Sequence, residues 1–289
     1  MNRRGETALR WSGYVAVAIV FAIACAFLAN WQFTRNAERS EQLALVEANY
    51  DAEPVSLAET IPLGSALSPG DEWQPVALVG TYLSDDQLLV RNRPRGGTAA
   101  FEVLVPFRLD DGRILIVNRG WVPPGESQPD PDVIPAAPSG EVTVIARLKP
   151  SEPAPSAGRS APEGQVPTIN LPLIADTLSD QDAAALEQSA YGLMVSEDPA
   201  PAIRPEAIAS PSDDPGPHLS YAIQWILFAI MGFIFIGYII RTELKHRRED
   251  AEDDAGEAVG PVPRSMRTPA RKTDRDMDDE DAILDAAGR

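Results

Sequence analysis

The chain has 289 residues, a formal net charge of −18, a single cysteine and two histidines. Phosphate binding needs clustered Lys and Arg, so this acidic balance argues against a nucleic-acid partner. Lone Cys25 excludes an intramolecular disulfide and any CxxC site, and His218 with His246 leaves too few imidazoles for most metal-site or triad chemistry.

Residues 1–13 are short and basic, with Arg3, Arg4 and Arg10. Residues 14–33 form an apolar run that ends with Trp31, an aromatic suited to a membrane interface. The basic flank comes first, which predicts a transmembrane helix with a cytoplasmic N-terminus. A cleaved signal peptide is the rival reading, with Ala22-Ile23-Ala24-Cys25 as a degraded lipoprotein box. The run continues well past Cys25, longer than a signal h-region, and that favours the span. Cys25 is then a small hydrophobe facing lipid or another helix. Residues 36–50 suit a helix with Leu43, Val46 and Tyr50 on one stripe, continuing the span outward. Residues 52–70 read as loop.

From Val76 the apolar period changes to two. Residues 76–82 and 87–93 read as strands, with Ser84-Asp85-Asp86 as the turn of a hairpin. Residues 94–97 form a turn cluster. Residues 101–109 and 113–119 flank Asp111-Gly112, a strong hairpin signal. A two-residue loop there sets Leu109 opposite Ile114, Phe107 opposite Ile116 and Val105 opposite Asn118. Val103, Val105, Phe107, Leu109, Ile114 and Ile116 then share the core face. The other face sets Leu104 beside Arg119 and Glu102 beside Trp121, with Glu102 diagonal to Arg119 and able to pair with it. Pro106 makes its strand an edge, or turns its nitrogen away from the ladder. Residues 123–140 and 150–162 are Pro-rich excursions, 141–149 and 190–195 read as strands, and 166–170 as a short one. Residues 171–187 have helical spacing in Leu171, Ile174, Leu178 and Leu186, and 199–217 form a Pro-rich tether.

Residues 218–240 are the second apolar run, uncharged from Tyr221 to Ile240. About 20 helical residues span roughly 30 Å, the thickness of a bilayer core. Tyr221 and Trp225 mark one interface and Tyr238 the other, and Arg241, Lys245, Arg247 and Arg248 place that end in the cytoplasm. Uncharged runs this long are uncommon inside small soluble domains, which argues against a buried soluble helix. Residues 241–289 form a cytoplasmic tail, polar and unpatterned from 249 onward and so expected to be disordered. The fold class expected is thus a membrane protein. Two antiparallel transmembrane helices flank an extracytoplasmic, mainly β (α+β) domain at 34–217. A largely antiparallel sheet or barrel, covered by one or two helices, would form that domain.

Little in the domain can carry catalysis. Asp85-Asp86 and Asp110-Asp111 sit at turns, where solvated carboxylates are the ordinary reading, and Gly96-Gly97 is a turn and not a phosphate loop. Three features remain. Asn118-Arg119-Gly120-Trp121 ends a core strand, and a bend, a packed indole and an Arg–Glu pair explain it structurally. Trp31-Gln32 with Arg35 stands where the first span leaves the membrane, as an interfacial anchor would. His218 opens the second span, either as an interfacial cap or as an axial ligand for haem iron, with Arg35, Arg39 or Arg119 meeting the propionates.

Several stretches together resemble the Surf1 family (Shy1 in yeast) of cytochrome c oxidase assembly proteins. They are Trp31-Gln32 with Arg35; Val79-Gly80-Thr81-Tyr82; 91–93 with Pro94; 103–107; 117–123 (VNRGWVP); and 218–225 (HLSYAIQW). The resemblance covers roughly residues 11–241. Ala29-Asn30 stands where the family often has Leu-Gly, and Arg39 is the nearest match to an expected basic residue after Arg35. The resemblance implies a non-enzymatic, multi-pass assembly factor of the bacterial plasma membrane, with both termini cytoplasmic. It would help deliver haem a to subunit I of an aa3-type oxidase, or retain it there, and bind haem a transiently. Its partners would be subunit I, other oxidase assembly factors and membrane lipid. His218 becomes the haem contact, supported by Trp31, Arg35, Arg119 and Trp121. A haem-independent scaffold that holds oxidase subunits is the alternative.

Overall fold

The computed structural model describes residues 3–95, 97–156 and 160–257. They fold as two units, Cys25–Leu227 and the remaining helical residues. Helix α1 (Arg3–Asn49) is uninterrupted, because residues 14–49 contain neither Gly nor Pro and pass from an apolar run into Ala, Glu, Leu and Gln. The span therefore does continue into the domain, as the 36–50 stripe predicts. Helix α5 (His218–Glu257) is the second long helix. Both are long and apolar enough to cross a membrane, and their most apolar windows are 17% and 0% buried. A soluble core helix would hide those side chains; here they are left for another apolar phase. Cys25 is fully buried, so it does not face lipid, and Ala29 and Ala222 are buried as well.

Helix α5 corrects one expectation. It runs on to Glu257, so the first part of the segment expected to be disordered is helical. Lys245 lies 3.7 Å from Glu249 and Arg247 3.3 Å from Glu243, both at i,i+4 spacing that supports a helix past the apolar run. The rest of that expectation, 258–289, lies outside the described residues.

Between the long helices come β1 (Val55–Ser56), α2 (Leu57–Thr60), β2 (Pro75–Tyr82), β3 (Leu88–Arg95), β4 (Thr98–Leu109), β5 (Ile114–Val122), β6 (Val142–Pro150), β7 (Gln165–Val166), α3 (Leu171–Ala175), α4 (Asp180–Ala185) and β8 (Ala190–Asp198). The sheet order is β1-β2-β6-β8-β5-β4-β3-β7, and a further β2–β4 pairing closes β2, β6, β8, β5 and β4 into a ring. Closure removes the free edges that an open sheet would expose. The sheet is mixed, since β1–β2, β3–β7 and β5–β8 are parallel. Its interior cluster draws on every ring strand and includes Leu78, Val105, Phe107, Leu115, Val144, Leu148 and Ala190. A second cluster covers the outer face, where Leu104, Ile114 and Ile116 meet Ile169, Leu171 and Ile174 around α3.

Two pairings depart from the sequence reading. Strands β2 and β3 do not form a hairpin. Both lie along one edge of the 12-residue β4, β3 against its first half and β2 against its last residues. The change of partner falls at Pro106, whose carbonyl accepts from the Leu83 N–H at 2.8 Å. In an extended strand the N and C=O of one residue face the same side, so the imide nitrogen points at this seam, where no ladder donor is needed. The β4–β5 turn also has three loop residues, not two: Leu109 N–H bonds Arg113 O, and Gly112 sits at φ 87. That is the longer loop with glycine in the left-handed position. The register slips by one residue, Phe107 faces Leu115 and Val105 faces Val117, so Ile114 and Ile116 move to the outer face. A bulge between Val103 and Leu104 restores the count, and Glu102 faces Trp121 as expected.

Gly80 lies on the closing seam opposite Leu109. A Cβ there would stand 2.0 Å from Arg108 O, whereas one at Gly70 would meet nothing within 4 Å. Gly80→Ala should therefore loosen the ring at a cost of about 1–3 kcal/mol. Thermal unfolding should register this as a drop of several degrees, with Gly70→Ala as the unchanged control; equal melting of both would contradict the tight seam.

The foot of α1 is fixed to the barrel. Asn49 Nδ2 donates to Gly70 O (2.7 Å) and Glu72 O (2.8 Å). Arg147 Nε donates to Tyr50 O (2.7 Å), and its guanidinium lies 3.6 Å from the Tyr50 ring centroid. The helix carrying Trp31, Gln32 and Arg35 thus has a set direction within the domain.

Candidate functional site

Strand β5 places Asn118, Arg119, Gly120 and Trp121 in succession, and the structure gives each a separate task. Arg119 is 1% exposed. Its guanidinium forks onto Glu197 of β8, with Nη2 2.7 Å from Oε1 and Nε 3.2 Å from Oε2, and Nη1 donates to Pro135 O at 3.0 Å. Tyr82 donates its hydroxyl to Glu197 Oε2 at 3.0 Å, and its ring lies 5.4 Å from the guanidinium carbon. Burial first, and then the Glu197 carboxylate, push the Tyr82 phenol far above its ordinary pKa, with Arg119 opposing; it stays a donor. The expected Glu102–Arg119 pair is not formed. The register slip and the bulge separate them, and Glu197, 78 residues away in sequence, takes the arginine.

Glu102 is instead the centre of a second buried network. It accepts from Arg95 Nη2 (2.8 Å) and Asn118 Nδ2 (2.9 Å) and forms an ion pair with Arg93, whose Nε lies 3.3 Å away. Arg93 also reaches Glu152 at 2.6 Å. Burial alone would raise the Glu152 carboxyl, but the Thr168 hydroxyl, the Ile169 N–H and Arg93 more than offset it and hold it below the ordinary range. The 91–93 stretch therefore ties β3 to β4 and to the 152–169 loop. Gly120 adopts φ 129, and a Cβ there would fall 2.3 Å from Glu206 O. Only glycine lets the tether run beside β5, where Trp121 and Glu206 exchange backbone hydrogen bonds of 2.8 and 2.9 Å.

The remaining residues meet where α1 and the start of α5 come together within the 25–227 unit. His218 Nδ1 lies 2.9 Å from Gln32 Oε1. An amide oxygen only accepts, so Nδ1 carries the proton, and in the neutral ring Nε2 keeps its lone pair. Gly216 adopts φ 73, which favours glycine, and lies beside the imidazole: a Cβ there would make ordinary contact, 3.6 Å from Cδ2 and 3.8 Å from Nε2. One turn along α1, Arg35 lies 6.0 Å from the Trp31 ring centroid and 2.7 Å from Glu38. Trp31 is 46% exposed. One turn further, Arg39 clamps the tether through Ser212 O (2.7 Å) and Asp214 O (3.0 Å).

The structure thus brings His218 to Gln32, with Trp31 and Arg35 paired with each other on the same stretch of α1, and commits Arg119 and the Trp121 backbone to the barrel and its tether. Sequence reading missed Gln32 as the partner of His218 and Glu197 as the partner of Arg119. The Trp-Gln pair pointed to the first; nothing in spacing could point to the second. Among the described residues, no cluster of three or more His, Cys, Asp and Glu could hold a metal ion. What the helix junction offers is one imidazole nitrogen, an exposed indole and a half-exposed guanidinium.

Comparison with known proteins bears on this arrangement. The SURF1 family model matches residues 19–230, from inside α1 to inside α5. The chain belongs to the SURF1 family. Uncharacterised SURF1-like proteins of Mycobacterium bovis and Mycobacterium tuberculosis are 35% identical over 249 residues, covering 83% of this chain and 87% of theirs. The cytochrome oxidase assembly protein Shy1 of Saccharomyces cerevisiae is 27% identical over 123 residues, 40% of this chain and 30% of its own. The SURF1 match takes in the helix junction and the whole ring, so the family assignment rests on residues 19–230 together and not on one motif.

Proposed function

We propose that this chain is a membrane-anchored assembly factor for an aa3-type cytochrome c oxidase, and that it holds haem a for delivery to, or retention in, subunit I. SURF1 membership and the named role of the yeast relative support oxidase assembly. The observation that carries the haem reading is His218, whose Nδ1 is held by Gln32 and whose Nε2 is left to a ligand. A metal-binding histidine is commonly oriented through its other nitrogen in this way. Arg35 supplies a cation one turn from Gln32 for a propionate. Haem a supplies the oxidase's redox chemistry; this chain's residues would only hold and orient it.

In this reading α1 and α5 cross the bacterial plasma membrane in opposite directions. Both termini lie in the cytoplasm and the ring domain outside, as the basic flanks require. The partners are subunit I, other assembly factors and membrane lipid. Holding and presenting a cofactor calls for no catalytic residue. The internal commitment of Arg119 to Glu197 favours a second reading, a scaffold that holds oxidase subunits without touching haem.

The test is purification of the full chain in mild detergent from cells that make haem a. A haem a spectrum that travels with the chain, and is lost in His218→Ala, supports haem holding. Stable capture of subunit I with no haem on the wild-type chain would overturn it in favour of the scaffold.

A further inference from the structure

The stripe of α5 just beyond its apolar run has no part in oxidase assembly as described above. Tyr238, Arg241, Lys245 and Arg248 are spaced three, four and three residues apart, so they lie on one face of the helix. A groove of about 730 Å³ opens along this face, lined by these four residues with Thr242, Leu244 and His246. Tyr238 is 66% exposed, and Thr242 turns its hydroxyl back to the Tyr238 carbonyl at 3.0 Å. Neither Arg241 nor Arg248 has an ion-pair partner among the described residues. Of the acids nearby, Glu243 meets Arg247 on the opposite face, while Glu249 shares the groove side, 3.7 Å from Lys245 and 3.5 Å from His246, and leaves the two guanidiniums unpaired.

We infer that this groove binds a phosphate-bearing anion, the headgroup of an acidic phospholipid in the leaflet that Tyr238 marks. The inference rests on α5 crossing the membrane. From Arg241 to Arg248 the helix rises about 10 Å, on the scale of the headgroup layer next to the hydrocarbon. Two unpaired guanidiniums and an ammonium on one face suit an oxyanion, which guanidinium meets through two parallel hydrogen bonds. Tyr238 sits at the depth where amphipathic aromatics border acyl chains. An orientation signal would need only the number of basic residues; it would need neither the shared face nor the groove.

Native mass spectrometry of the full chain tests this, after transfer from mixed phosphatidylglycerol and phosphatidylcholine nanodiscs. The wild type should keep phosphatidylglycerol over phosphatidylcholine. The triple variant Arg241→Gln, Lys245→Gln, Arg248→Gln should lose that preference by about tenfold or more. Arg247→Gln removes one charge from the opposite face and should leave the preference in place, whereas Arg241→Gln alone, which removes the same single charge from the groove, should weaken it. Preference that survives 10 mM inorganic phosphate, on the order of a weak site's range, assigns the site to lipid. Preference abolished by that phosphate keeps the anion chemistry but overturns the lipid assignment. Equal retention of both lipids by the wild type, or equal loss in Arg247→Gln, overturns the inference. Alkaline carbonate extraction separates this from failure of the membrane reading. A chain that washes off membranes has lost the reading beneath; one that stays without lipid preference has lost only this inference.

Discussion

Glu197→Ala is expected to destabilise the ring domain by about 3–5 kcal/mol. The reason is Arg119, whose side chain is fully buried and would be left charged without its carboxylate. Tyr82 would also lose the acceptor of its hydroxyl. At roughly 2–4 °C per kcal/mol for a unit of this size, the melting temperature should fall by about 6–20 °C. Arg119→Ala should do comparable harm, by leaving Glu197 buried and unpaired. The paired replacement Arg119→Met with Glu197→Leu should recover most of the loss, because a buried ion pair contributes little over apolar groups of similar volume. Thermal unfolding of the purified full chain, followed by near-UV circular dichroism, checks this series. A loss below about 1 kcal/mol in Glu197→Ala would mean that the pair is solvated, against the geometry.

The second large effect concerns haem retention. His218→Ala should remove the haem a signal from the purified chain without changing its melting temperature by more than about 1 °C. That combination separates a ligand from a structural residue, since His218 is partly exposed and makes one side-chain hydrogen bond to Gln32. Gln32→Ala should lower retention by about 10- to 100-fold, the usual effect of losing the group that orients a ligating histidine. Gln32→Glu keeps an acceptor at the same reach and should restore it. Added imidazole should return part of the signal to His218→Ala. Unaltered haem in His218→Ala would remove His218 from the site.

Much of the fold was legible because its signals are local. An uninterrupted apolar run followed by good helix formers is α1, and a run of the same length followed by Arg and Lys is α5. The period-two stretches became β2, β3, β4, β5, β6 and β8 within one to three residues at most ends. What failed was pairing. The Asp111-Gly112 signal is real, but whether two or three residues form the loop depends on backbone conformation at Gly112, and that one residue exchanged the faces of Ile114 and Ile116. Ring closure through Gly80 and Leu109 joins strands far apart in the chain, with only the missing Cβ as a trace.

The candidate site was legible in the same proportion. Histidine scarcity singled out His218, and the apolar runs placed it beside the first span. Its partner Gln32 was in view as half of a Trp-Gln pair but without a task. Alternation sets Arg119 on the face opposite the expected core, within reach of Glu102. The structure buries it against Glu197, and two buried networks, around Glu197 and around Glu102, absorb Arg119, Arg93 and Arg95.

The most direct test of a role in oxidase maturation is a reduced-minus-oxidised absorption spectrum of membranes from cells lacking this chain, beside wild type. Loss of the haem a band with b- and c-type bands kept is the predicted result. An unchanged haem a band, in cells with no second copy of the family, would contradict it.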